Sequence, residues 1–167
     1  MQPNATDDLK DRVVVITGAA RGMGRAFADA FLGCGARVVA TDRTWDGAPA
    51  FAADLTADGK NVLVADMDVT KDDQLDKVYQ DTLDKFGTVD VLIGNAAMRS
   101  RDLFPPAGRA TTLETKDSDW AKLFAVNVFG ALKVIRRFIR PMIEKKRGSI
   151  INTVSSGLLH HSHGGGY

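Results

Sequence analysis

Thr17 to Gly24, Thr-Gly-Ala-Ala-Arg-Gly-Met-Gly, is the stretch whose residue types and spacing are best suited to hold an anion. Gly18 permits a tight turn, Gly22 lets backbone approach a phosphate with no Cβ in the way, and Gly24 lets a following helix lie close to the strands. The unpaired N–H groups at the start of such a helix, with the positive end of its dipole, make a pyrophosphate the natural guest. Asp42 closes the next apolar run, where a carboxylate accepts both hydroxyls of an adenosine ribose and repels a 2′-phosphate. That favours NAD. Arg21 and Arg43 argue for NADP, since a guanidinium in this corner holds a phosphate. Asn127 is a third candidate: an amide in the apolar sector of a helix needs partners, for structure or for chemistry.

These groups need a scaffold, and the sequence supplies one. Before the glycines runs Val13-Val14-Val15-Ile16, of the kind buried on both faces of a parallel sheet; after them Phe27 and Phe31 share one helical face. Strand-like runs at Val13 to Ile16, Ala36 to Thr41, Asn61 to Ala65, Val89 to Ile93 and Ser149 to Val154 alternate with helical patterns. The expected fold is therefore α/β, a doubly wound parallel sheet with right-handed crossovers. A helix over 50–57 ends at Gly59. The next is expected to be capped by Thr70, to bury Leu75, Val78, Tyr79, Leu83 and Phe86, and to end at Gly87. The longest, Ser118 to Lys146, carries more apolar circumference than one sheet can cover, and Pro141 interrupts its ladder.

The spacing T-G-x-x-x-G-x-G, with the strand, helix and acid around it, resembles the short-chain dehydrogenase/reductase family, from about Lys10 to Tyr167. The resemblance implies a Rossmann-like sheet of order 3-2-1-4-5 and a single dinucleotide-binding domain behind a tail of some ten residues. It also implies that the family's C-terminal part, including a lysine four residues beyond the tyrosine, is absent. By the same likeness Gly18, Arg21, Gly22, Met23, Gly24, Asp42 and Arg43 hold the cofactor, and Asp68 and Val69, with Asp66 as a rival, meet its adenine end. Gly94-Asn95-Ala96-Ala97 resembles the family's Asn-Asn-Ala-Gly, with Gly94 and Ala97 departing from it, and gives Asn95 and Ala96 to the same site. Asn127 supports a proton-relay water. Ser156, after a strand resembling the one that leads to the family's serine, holds the substrate oxygen, and Tyr167 exchanges a proton with it.

The implied activity is NAD-dependent, with NADP as alternative: hydride transfer between nicotinamide and a secondary alcohol or carbonyl. The alternative is a nucleotide-binding module without catalysis, whether a truncated product or a partner subunit. Lys+Arg 22 against Asp+Glu 21 is too balanced to favour nucleic acid or an anionic membrane as partner. With no 18-residue apolar run and no apolar leader, a cytoplasmic protein is expected. Cys34 is a packing residue. His160, His161 and His163 lack a neighbouring acid or cysteine and a rigid element, so they are expected beside the substrate pocket and no metal site is expected. The polar stretch Met98 to Asp117, with Arg99, Arg101 and Arg109, serves equally as a substrate-facing loop or a solvated excursion. Association of copies through the 118–146 helix and the fifth strand is expected.

Overall fold

The computed structural model describes residues 7–57, 59, 61–99 and 115–154. After a 3-10 turn at Asp7–Leu9 the chain alternates β1 (Val13–Thr17), α1 (Gly22–Gly33), β2 (Arg37–Asp42), α2 (Pro49–Ala57), β3 (Val62–Asp66), α3 (Asp72–Phe86) and β4 (Val91–Gly94). It then forms α4 (Asp117–Phe124), a π-helical segment (Ala125–Gly130), α5 (Ala131–Phe138), α6 (Arg140–Glu144) and β5 (Ser149–Asn152). All five strands are parallel, in the order β3-β2-β1-β4-β5. Val14 of β1 lies opposite Val38 on one side and Val91 on the other.

The two-residue period of a strand sorts the central side chains into two cores. Val13, Val15, Val39 and Leu92 face α3 and α5, meeting Leu75, Val78, Phe86, Val134 and Phe138. Val14, Ile16, Val38, Ala40 and Ile93 face α1 and α2, meeting Ala28, Phe51 and Leu55. This is why the run Val13–Ile16 has no polar alternation: both faces of β1 are covered. The buried stripe of α3 runs through Leu75, Val78 and Phe86 as expected, with Thr82 the fourth buried member while Leu83 is half-buried. Thr82 tolerates this because its hydroxyl donates to the Val78 carbonyl at 2.7 Å. Tyr79 packs edge-on against Phe138.

Two expectations need correction. Thr70 does not cap α3, which starts at Asp72 behind an extended Lys71. Instead the Thr70 N–H and hydroxyl both donate to Asp68 Oδ1, at 2.9 and 2.7 Å, closing an Asx turn that consumes the hydroxyl. The long helix over 118–146 is not one α-helix. It widens into the π segment after Phe124 and breaks at Ile139, where Pro141, in the first turn of α6, has no N–H to give to the Arg137 carbonyl. Its surplus of apolar surface is present as expected: Phe124, Val128, Phe129, Leu132 and Ile143 are all at least 41% exposed.

At the opposite end of the sheet from the glycine turn, Asp90 gathers three donors. It receives Lys145 Nζ at 2.5 Å, the Val13 N–H at 2.9 Å and, as an ion pair, Arg12 at 3.6 Å. Burial pushes its carboxyl up, but the hydrogen bonds from Lys145 and Val13 outweigh that and hold it below the ordinary aspartate range. The cluster fixes the start of β1 to the start of β4 and to the chain entering β5.

Candidate active site

β1 is the strand at which the direction of winding reverses, and open α/β sheets place ligands outside the carboxyl ends of the strands at such a point. A cleft of about 790 Å³ lies there. Every cofactor residue expected from the sequence lines it except Gly24: Gly18, Arg21, Gly22, Met23, Asp42, Arg43, Asp68, Val69, Asn95 and Ala96.

The glycine turn is built by exclusion of Cβ atoms. Gly18 sits at φ 70°, and a Cβ on it would come within 3.0 Å of Ala96 Cα. A Cβ on Gly24 would come within 2.1 Å of the Gly18 carbonyl oxygen, so Gly24 lies beneath the turn and packs it on the helix. Gly22 is different: it lines the cleft at the first residue of α1, and at φ 58° a Cβ on it would meet nothing within 4 Å.

Hydrogen bonds lock the turn to both neighbouring strands. The Ala19 N–H donates to the Thr41 carbonyl, and the Ala20 N–H donates to Asp42 Oδ2, each at 2.9 Å. Asp42 Oδ1 accepts the Arg43 N–H at 2.8 Å. On the other side Asn95 Nδ2 donates to the carbonyls of Thr17 and Gly18, both at 3.1 Å, while Thr17 Oγ1 accepts the N–H groups of Asn95 and Ala96. Asn95 thus straps the turn to β4. No local pattern marks Thr17 as its counterpart, because the pair is 78 residues apart.

At the far end of the cleft Asp68, rather than its rival Asp66, lines the wall. Its own N–H donates to Gln74 Oε1 at 2.7 Å, so the turn after β3 is anchored to α3. Met98 and Arg99, which open the stretch read equally as substrate-facing or solvated, line the cleft, and Met67, Val126, Thr153 and Val154 also line it and were not expected from sequence. Most are apolar residues just past strand ends, with no motif to mark them.

Asn127 lies in the π segment beside the cleft, with its neighbour Val126 in the wall. Its amide makes a two-way pair with Met98: Oδ1 accepts the Met98 N–H at 2.7 Å and Nδ2 donates to the Met98 carbonyl at 2.9 Å. The amide's need for partners is met by backbone, at the root of the chain leaving β4. Ser156, Tyr167, His160, His161 and His163 lie outside the described residues, as do Arg101 and Arg109.

Residues 12–167 match the family model described as short chain dehydrogenase. The chain is 53% identical over 160 residues to a fluoren-9-ol dehydrogenase of Terrabacter sp. (strain DBF63), covering 96% of this chain and 44% of that protein. It is 37% identical over 148 residues to a sorbitol dehydrogenase of Cereibacter sphaeroides, covering 88% of this chain and 54% of that one. Among solved structures, a short chain dehydrogenase/reductase from Burkholderia phymatum in complex with NAD superposes with a TM-score of 0.80 at 31% identity. That superposition covers 95% of this chain and 54% of that one. The chain thus spans about half the length of these relatives. With the glycine turn, the strand order and a match over nearly its whole length in agreement, the chain belongs to the short-chain dehydrogenase family.

Proposed function

We infer that the protein is a nicotinamide-dependent oxidoreductase that prefers NAD over NADP and interconverts a secondary alcohol and its carbonyl. The observation that carries this reading is the cleft itself, with an open Gly22 at the start of α1 and Asp42 at the end of β2 facing one space. The residues present fit a dinucleotide. The Gly22 direction is free for a phosphate, the N–H groups at the start of α1 supply donors, and Asp42 stands where ribose hydroxyls need an acceptor. Arg21 and Arg43 rim the same corner and are exposed. Asp68, Val69, Asn95 and Ala96 complete the wall. Bound there, the nicotinamide supplies or accepts the hydride. In this reading Ser156 holds the substrate oxygen, Tyr167 passes it a proton, and Asn127 supports a relay water from the π segment. The identity shared with a fluoren-9-ol dehydrogenase supports a secondary alcohol as the substrate class.

The preference rests on Asp42. Its carboxylate is already oriented by the N–H groups of Ala20 and Arg43, so little ordering remains to be done on binding. Asp42→Ala is expected to weaken NAD by about 1 to 3 kcal/mol, the range for hydrogen bonds to a charged group in a partly buried site. Fluorescence titration with NADH and NADPH checks both points. Tighter binding of NADPH by the unaltered protein would mean that Arg21 and Arg43 govern the corner.

The exposed row Phe124, Val128, Phe129 and Leu132, along α4, the π segment and α5, supports association with a second copy, as does β5 at the edge of the sheet among the described residues. Each large apolar side chain taken out of water contributes up to roughly 1.5–3 kcal/mol. Sedimentation at tens of micromolar is expected to give a dimer or larger species, and a stable monomer would overturn this.

A further inference from the structure

We propose that Gly130 is a positioning residue for the adenine end of the cleft, the point at which the π segment rests on Val69 with no room for a side chain between them. The proposal rests on the dinucleotide reading above.

Nothing in the backbone at Gly130 asks for glycine. Its φ of −61° and ψ of −47° are ordinary right-handed helix values. A glycine inside a helix is less stable there than alanine would be, so some other contact must require it. The closest such contact is with Val69: an ideal Cβ on Gly130 would lie 2.6 Å from Val69 Cγ2 and 3.2 Å from Val69 Cβ, with the Ala125 carbonyl oxygen also at 3.2 Å. Carbon atoms in good contact stand about 3.5–4.0 Å apart, so a methyl group here forces Val69 to move by roughly 1 Å.

Val69 cannot yield cheaply. It is 5% exposed, its branched side chain has few χ1 choices, and it packs in the core with Leu75 and Val134. Its flanks are also tied down. The Asp68 N–H is bonded to Gln74, Asp68 Oδ1 holds the Thr70 N–H and hydroxyl, and the Thr70 carbonyl accepts Lys133 Nζ at 3.1 Å. A push on Val69 is therefore passed to Asp68, and both residues line the cleft. Three residues before Gly130, Asn127 grips Met98 on the opposite wall. One turn of π helix thus sets the spacing between the chain leaving β3 and the chain leaving β4.

The test is a size swap read by binding of 5′-AMP and of NAD to the folded protein. Gly130→Ala is expected to raise both dissociation constants tenfold or more. Adding Val69→Ala, which removes the Cγ2 clash and leaves only the two milder 3.2 Å contacts, is expected to restore both to within about twofold of Val69→Ala alone. A merely structural role would not give this recovery in nucleotide affinity. Should Gly130→Ala fail to fold, Val69→Leu presses on the same contact from the other side and carries the same tenfold expectation. Unchanged affinity in a folded Gly130→Ala, or a loss that the second substitution does not repair, overturns the proposal while leaving the dinucleotide reading intact. Failure of the unaltered protein to bind either probe overturns both.

Discussion

Tyr167→Phe is expected to lower turnover of a secondary alcohol by about 10²- to 10⁴-fold, the usual cost of losing one proton-transfer group, with NAD affinity changed by less than about twofold. The measurement belongs in a chain carrying the lysine that the family pattern places four residues beyond Tyr167. A free phenol has a pKa near 10, about three units above a neutral working pH. Moving its proton therefore calls for roughly 4 kcal/mol of differential stabilisation, which a nearby cation supplies. Removing the hydroxyl removes the proton path and leaves the aromatic ring, so NAD affinity is expected to survive. Full activity in the variant would show that another group transfers the proton. Loss of NAD affinity along with turnover would show that the hydroxyl holds the site together instead.

Gly24→Ala and Gly22→Ala are expected to fail in opposite ways, although the two glycines are separated by one residue. The added methyl at position 24 points at the Gly18 carbonyl oxygen from 2.1 Å, so α1 must move off β1 or the turn must open. Overpacking of this kind costs about 1–3 kcal/mol or more. A fall of roughly 2–12 °C in the unfolding midpoint without nucleotide is expected, at about 2–4 °C per kcal/mol for a domain of this size. The methyl at position 22 meets no atom, and its penalty is the left-handed backbone, about 1–2 kcal/mol. Gly22 lines the cleft where a phosphate is expected, so NAD affinity should fall at least as sharply as stability. Differential scanning calorimetry without nucleotide, paired with NADH titration, checks the contrast. Unchanged NADH affinity in a folded Gly22→Ala would show that position 22 does not bear on the nucleotide.

The signals that could be read from sequence were local ones. The glycine turn, Asp42 and a parallel sheet follow from spacing and from continuous β-branched runs within some thirty residues; the strand order 3-2-1-4-5 is what the family resemblance implies, and the structure has it. What escaped depends on contacts between distant parts of the chain. Asn95 fits a cofactor motif, yet its Nδ2 is committed to the Thr17 and Gly18 carbonyls across two strands. The π segment was invisible because apolar residues surround that helix, so a shift of one residue leaves no break in the pattern. Thr70 looked like a helix cap because capping residues and Asx-turn partners have the same chemistry, and only the position of Asp68 decides between them.

The placement of β1 also has a consequence for how the chain reaches this fold. β1 is first in sequence but third in the sheet, and Val13, Val14, Val15 and Ile16 need partners on both edges. As the chain emerges during synthesis, β2 is available after one short helix, whereas Val91–Ile93 follows only after two further helices and a strand. Until then one edge of the most apolar strand in the protein stays open, and such an edge pairs readily with another nascent chain. Loop-closure entropy makes the second pairing slower than the first. When β4 does dock, Asn95 arrives with it and ties down the carbonyls of the glycine turn, so the phosphate-facing turn is completed only with the second of β1's two pairings.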